Sequence, residues 1–352
     1  MAKVIRVLVV DDSALVRNIL SQGLSIDPNI EVVGTASDPY IARDKIVELD
    51  PDVLTLDVEM PRMDGVAFLR KLMPQHPIPT VMVSSLTQRG KQITIDALDA
   101  GAVDFVAKPT SNVTAGLNAM LMELRAKVKI ASTANVSHWK GKRIAPPVQS
   151  AAFASKALAE STDKVIAIGA STGGTEAIRR VIEEFPATTP GIVIVQHMPA
   201  GFTKMFAERL NQLCQMEVRE AKDGDRIRSG LILIAPGGFQ MKVIRSGGFY
   251  QVRCGGTEKV SGHCPSVDVM MHSVAEHVGR NAIGAMLTGM GQDGAEGMLA
   301  MKNAGARSIA QDEASSVVFG MPKVAFEKGG ASRLVPLDKI AASLMGMLSE
   351  KK

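Results

Sequence analysis

The segment Gly169-Ala170-Ser171-Thr172-Gly173 satisfies G-x-S-x-G, with a strand pattern before it and a helix pattern after it. In that setting the glycines permit a sharp turn that exposes the serine, and N–H groups at the helix start can hold a tetrahedral oxyanion. A serine hydroxyl attacks a carbonyl only when a base relieves it of its proton. The next strand pattern ends at Gln196-His197-Met198-Pro199, so His197 projects from the same sheet edge as Ser171. His263, in Gly262-His263-Cys264-Pro265, competes for that role, whereas His76, His138, His272 and His277 fall in a loop, a linker and a helix. A third group, a carboxylate, must orient the imidazole and offset its charge. Asp293 stands in the Gly-rich loop 288–294 after a further strand and also fits the N-cap of the helix that follows; Asp268 and Asp312 are less well placed. Three strand ends delivering Ser, His and Asp point to acyl transfer. Their order, Ser…His…Asp, differs from the Ser…Asp…His of ordinary α/β-hydrolases.

A second constellation lies near the N-terminus. Asp11 and Asp12 follow the first predicted strand and Asp57 the third, while Ser84 ends the fourth and Lys108-Pro109 follows the fifth. Groups at the carboxyl ends of parallel strands converge near the point where strand order reverses. Clustered carboxylates repel one another, and a hard divalent cation such as Mg²⁺ keeps all three ionised. A hydroxyl and an ammonium beside them suit a transferred phosphoryl group, with Asp57 as nucleophile and an acyl phosphate as product. One Asp at a strand end is ordinarily a turn former or cap; five matched groups on successive strand ends are not explained that way.

The elements that must position these groups follow from periodicity. Residues 1–125 alternate five strand and five helix patterns, which implies a doubly wound parallel sheet covered on both faces. Residues 126–162 lose that periodicity, are rich in Ala, Ser and Pro, and read as a linker with a short helix near 153–160. Trp139, the single tryptophan, falls inside it and fits either an exposed aromatic or a docking anchor. Residues 163–352 carry a second α/β pattern, a mainly parallel sheet with a β-rich insertion over 231–253.

Composition narrows the function classes. The 352 residues are 46% hydrophobic and 22% charged, within the globular range, and exceed what one ordinary core supports. Residues 1–110 hold 11 Lys and Arg against 15 Asp and Glu, residues 111–162 hold 7 against 2, and the remainder 22 against 19. The excess of positive charge therefore sits in the middle segment. With aromatics at 4%, nucleic acid is not an expected partner, and no apolar run reaches the ~20 residues of a membrane span. The chain opens on a strand pattern rather than a secretory signal, and Cys214, Cys254 and Cys264 form no disulfide framework, so a cytoplasmic setting is expected. The spacing of Cys254, His263, Cys264, His272 and His277 fits no zinc plan, and Gly169-x-x-x-Gly173-Gly174 is not a dinucleotide fingerprint.

From Asp11-Asp12 through Asp57-x-x-Met60-Pro61-x-x-Asp64-Gly65 to Lys108-Pro109, the N-terminal part resembles a response-regulator receiver domain. The resemblance implies that Asp57 is the phospho-acceptor, that Asp12 and the Glu59 carbonyl join it, with Asp11, at Mg²⁺, and that Phe105 is the aromatic switch position alongside Ser84 and Lys108. Gly-Ala-Ser-Thr-Gly-Gly, Gln-His-Met-Pro and Gly-Met-Gly-Gln-Asp-Gly behind a receiver resemble the chemotaxis protein-glutamate methylesterase/glutaminase (CheB) family. That family implies a phosphorylation-activated serine hydrolase acting on glutamate γ-methyl esters and certain glutamines of chemoreceptors, with a histidine kinase as phosphodonor. Ser171 would be the nucleophile, His197 the general base, Asp293 its orienting partner, the Met290 N–H an oxyanion donor, and Thr172 a support for the imidazole. Cys264 stands where that pattern leads one to expect Arg, beside the His263-x-Pro-Ser-Val-Asp run. The acidic first part and basic remainder lead us to expect that the unphosphorylated receiver obstructs the Ser171 site. The competing class is a response regulator whose output half only binds a partner or DNA.

Overall fold

A computed structural model describes residues 3–85, 87–109, 113–141 and 163–349 of the chain. The chain divides into two compact units, Met1–Pro146 and Pro147–Lys352.

The first unit is built on strands β1 (Ile5–Val10), β2 (Ile30–Ala36), β3 (Val53–Asp57), β4 (Thr80–Ser84) and β5 (Asp104–Ala107), with helices α1 (Ala14–Ser25), α2 (Pro39–Leu49), α3 (Gly65–Gln75), α4 (Gln88–Asp99) and α5 (Val113–Ala131). All neighbouring strands are parallel, in the order β2-β1-β3-β4-β5. Every residue of β3 and β4 is buried, which is why these strands read as continuous runs rather than alternating ones. The order reverses at β1, whose neighbours are β2 and β3, so a crevice opens at their carboxyl ends. Val10 pairs with Leu56, so the residues one step beyond, Asp11 and Asp57, emerge side by side.

Helix α5 continues to Ala131, and a 3₁₀ turn follows at Ser137–Trp139. Trp139 is buried: a Cβ placed on Gly101 would stand 3.0 Å from its indole. Gly141 N–H then donates to Pro74 O at 2.8 Å. The described part of the expected linker, residues 126–141, is thus folded onto the first unit, and Trp139 serves as an internal anchor rather than an exposed aromatic. The short helix expected near 153–160 lies outside the described residues.

The second unit carries a seven-stranded sheet from β6 (Val165–Ala170), β7 (Gly191–Gln196), β8 (Glu217–Glu220) and β9 (Leu231–Ile234), then β12 (Ala282–Met286), β13 (Arg307–Gln311) and β14 (Leu334–Val335). Between them, β10 (Met241–Ser246) and β11 (Phe249–Cys254) form an antiparallel hairpin closed by Gly247-Gly248. Helices α6 (Gly174–Ile182), α7 (Phe202–Asn211), α8 (Val267–His277), α9 (Ala295–Asn303), α10 (Met321–Glu327) and α11 (Leu337–Ser349) complete it. The sheet is parallel throughout, in the order β14-β13-β12-β6-β7-β9-β8.

One expectation is corrected here. Residues 231–234 belong to this sheet and not to the β-rich insertion, because all four are buried and pair on both sides, with β7 and β8. The insertion is the β10–β11 hairpin alone. Strands β8 and β14 escape the periodicity reading because one is an exposed-edge Glu-Val-Arg-Glu and the other only two residues long. The chain leaves β6 for β7 on one side and later returns to β12 on the other, so the switch point lies at β6.

Candidate active site

Ser171, His197 and the loop 288–294 stand at the carboxyl ends of β6, β7 and β12, three adjacent strands. Ala170 pairs with Gln196, so the next residues on the two strands are Ser171 and His197. His197 N–H donates to Ala170 O at 3.2 Å, and the Gln196 amide donates to the carbonyls of Ser171 (2.9 Å) and His197 (3.4 Å). One side chain thereby ties both strand ends together. It leaves no room for a neighbour: a Cβ on Gly174 would lie 2.1 Å from Gln196 Oε1. Ser171 itself donates its N–H to Thr288 O at 3.0 Å, and Gly173, at φ 76°, starts α6 directly after it. A left-handed residue there needs glycine, which accounts for the second glycine of G-x-S-x-G.

His197 and Asp293 meet. The imidazole Nε2 lies 2.7 Å from Asp293 Oδ2. Asp293 is buried, and three further donors reach it: Ser266 Oγ at 2.7 Å and Asp268 N–H at 3.1 Å to Oδ1, and Val267 N–H at 2.7 Å to Oδ2. Two of these are N–H groups of the first turn of α8, where the helix dipole favours an anion. Burial works against the carboxylate's charge, but the bonds from His197, Ser266 and Val267 prevail and hold its pKa below the ordinary value. Asp293 does not cap α9; Gly294, at φ 91°, occupies that position. An ionised carboxylate only accepts, so the imidazole carries its proton on Nε2 and leaves Nδ1 as the free base. Nδ1 is buried and has no hydrogen-bond partner. It makes no bond to Ser171 Oγ, and such bonds commonly tighten only once substrate is bound.

The His263 ring stacks on that of His197, with centroids 3.6 Å apart and planes 7° from parallel. The competitor for the base is therefore in the site, but on the face of the imidazole rather than in line with the carboxylate. Loop 288–294 passes close to the serine: a Cβ on Gly289 would stand 2.8 Å from Ser171 Cβ, and Met290, the next residue, exposes its side chain. Thr172 is buried and its carbonyl accepts from Thr288 Oγ1 at 3.0 Å. Sequence reasoning missed Gln196 and Ser266 as parts of the site. The Pro265-Ser266-Val267-Asp268 run carried a usable signal, since serine before an apolar helix is a cap, and Ser266 does cap α8 through Val269 N–H at 3.4 Å.

In the first unit, carboxylate oxygens of Asp11, Asp12 and Asp57 all lie within 4.8 Å of one another. Lys108 Nζ reaches Asp11 Oδ2 at 2.9 Å and Asp57 Oδ1 at 3.0 Å. Burial pushes the Asp57 pKa up to about 6; the Lys108 ammonium pulls it down, and more strongly than the Asp11 carboxylate pushes it up, but does not overcome the burial. An all-oxygen set of three clustered carboxylates is suited to a hard divalent cation. The Glu59 carboxylate is not in this cluster and pairs at 3.7 Å with Arg89, so only its carbonyl is available to a metal. Ser84 ends β4 as expected, but its hydroxyl donates to Gly90 O at 3.1 Å and accepts from Thr94 Oγ1 at 2.6 Å, turned toward α4. Phe105 is buried, with the Lys127 ammonium 5.1 Å from its ring centre.

Residues 166–344 match the family described as CheB methylesterase, and residues 7–116 match the response regulator receiver domain. A protein-glutamate methylesterase/protein-glutamine glutaminase from Syntrophotalea carbinolica is 74% identical over 352 residues, covering all of both chains. One of the same description from Sulfurimonas denitrificans is 56% identical over 350 residues, 99% of each chain. The crystal structure of the Thermotoga maritima CheB methylesterase catalytic domain is 38% identical, with a TM-score of 0.51, and covers 52% of this chain and 98% of that one.

Proposed function

The chain belongs to the CheB methylesterase family, and from that membership we propose how its residues divide the work. It is a carboxylic ester hydrolase, a protein-glutamate methylesterase and protein-glutamine glutaminase governed by a receiver domain. Its substrates are glutamate γ-methyl esters, and certain glutamine amides, on the cytoplasmic regions of methyl-accepting chemoreceptors. A non-enzymatic binding output, the competing class, is set aside by the family itself.

Ser171 Oγ attacks the ester carbonyl while His197 Nδ1 takes its proton. Asp293 holds the imidazole through Nε2 and balances the imidazolium charge. N–H groups including that of Met290 bind the oxyanion, and Thr172 supports the ring. His197 then protonates departing methanol, and water activated by the same nitrogen frees the glutamate and Ser171. On a glutamine the leaving group is ammonia. The observation that carries this reading is the 2.7 Å pair of His197 and Asp293 with its opposite nitrogen unbonded, one strand from a serine at a sharp turn.

Asp57 is the phospho-acceptor in the receiver, and a histidine kinase is the phosphodonor. Asp11, Asp12, Asp57 and the Glu59 carbonyl would hold Mg²⁺, which offsets phosphoryl charge; Lys108 binds the phosphoryl oxygens. Ser84 and Phe105 carry the change onward: Ser84 must leave its bond to Gly90 to meet a phosphoryl oxygen. No described helix is long and apolar enough to cross a membrane, and we place the enzyme in the cytoplasm. The test is methanol release from methylated receptor. Ser171→Ala should abolish it while Asp57 still accepts phosphoryl groups, and appreciable turnover by a folded Ser171→Ala protein would remove the serine from this role.

A further inference from the structure

We propose that His263 is a positioning residue for the general base, a flat plate against which the His197 ring is held. The inference rests on the esterase reading above and concerns a residue to which that mechanism gives no task. A hydrogen bond from Nε2 to Asp293 fixes one corner of the imidazole. The torsion at the sp³–sp² bond is broad, so one corner does not fix the plane of the ring. The stacked face at 3.6 Å and 7° supplies the missing constraint. With both in place, Nδ1 keeps a single direction, and that direction is what proton transfer from Ser171 depends on.

The plate is itself held. His263 N–H donates to Val260 O at 2.9 Å and His263 O accepts from Val260 N–H at 3.0 Å, closing a tight loop. Gln240 Nε2 donates to His263 O at 3.2 Å, while Gln240 Oε1 accepts from Ser266 N–H at 2.8 Å. Ser266 in turn donates to Asp293. One glutamine therefore links the segment bearing the stacked ring to the segment that grips the carboxylate, and both constraints on His197 come from the same framework.

A ring that can neither ionise nor hydrogen-bond separates stacking from any polar role. We expect His263→Ala to lower kcat for methanol release from methylated receptor by about 30-fold with KM within about 2-fold, and to slow fluorophosphonate labelling of Ser171 in parallel. His263→Phe should return kcat to within about 3-fold of the parent, whereas His263→Gln should stay slow. A kcat for His263→Ala close to the parent's overturns the proposal, as does a loss expressed in KM alone. If His263→Ala fails to fold, the Phe and Gln variants decide: Phe fast and Gln slow supports the plate, and any other order overturns it. A parent chain that releases no methanol would fail the esterase reading instead, so the two failures are distinct.

Discussion

Gly289 and Ser171 are in contact across two strand ends: a Cβ built on Gly289 would stand 2.8 Å from Ser171 Cβ and 3.1 Å from its N. The loop that carries Met290 is thereby pressed against the serine, with no room for a methyl group between them, and the spacing of the proposed nucleophile and oxyanion donor depends on that contact. Gly289→Ala must push one of them away, besides crowding the Met321 sulfur at 2.4 Å. We expect kcat to fall roughly 10- to 100-fold, because sub-ångström misplacement of reacting groups has that effect. Fluorophosphonate labelling of Ser171 in a protein with unchanged circular dichroism reads the effect directly.

Asp293→Asn should be far more damaging than its volume change suggests. The amide can present an N–H where His197 needs an acceptor, which moves the ring proton to the wrong nitrogen. We expect kcat to drop by roughly 10³- to 10⁴-fold with KM little changed. Ser266→Ala removes one donor from Asp293 and the cap of α8 together. Its expected cost is about 1 kcal/mol of stability and a milder fall in kcat, measured by denaturant titration and methanol release respectively.

Asp57 gives a pH-dependent stability with a definite sign. Its pKa rises from 3.8 unfolded to about 6 folded, so folding favours the protonated carboxyl. The penalty for ionisation is absent below about pH 4, grows as pH rises toward 6, and is constant above. At full size it is on the order of 2–3 kcal/mol. Asp57→Asn should therefore raise the melting temperature of the first unit by several degrees at pH 7.5, and this gain should vanish near pH 4. Mg²⁺ should stabilise the parent at pH 7.5 more than the variant. Equal melting temperatures at pH 7.5 would contradict the assigned burial penalty.

Phosphorylation supplies the last prediction. A small-molecule phosphodonor with Mg²⁺ should raise methanol release by the parent, and removing Mg²⁺ with a chelator should abolish the stimulation without touching basal turnover. Asp57→Ala should retain basal turnover and lose the stimulation. Stimulation that survives in Asp57→Ala would move the phospho-acceptor elsewhere.

The residues legible in the sequence were those whose position follows from topology. Ser171, His197 and Asp57 each stand at the end of a buried parallel strand, and apolar runs mark such ends in the chain itself. Asp293 was legible only as a choice between partner and cap, because local pattern cannot say whether a carboxylate turns back to its own helix. The structure turns it toward α8, whose first turn is more than twenty residues away in sequence. His263 is legible only as a competitor for the base and Gln196 only as a neighbour of His197, since a ring stack and a carbonyl bridge depend on loop paths that no periodicity encodes. Trp139 was illegible for the same reason: its burial depends on Met73 and Gly101, distant in sequence and joined only by the fold. Ser84 shows the converse, a correctly placed residue whose hydroxyl engages Thr94 instead of the acidic cluster.

The burial of Trp139 has a practical side. The chain holds one tryptophan and two tyrosines, Tyr40 and Tyr250. Excited at the red edge of absorption, its emission comes entirely from the indole wedged beside Gly101, and the hydrolase half is dark. Unfolding of the receiver can thus be followed optically on the intact polypeptide while ester turnover reports independently on the other half.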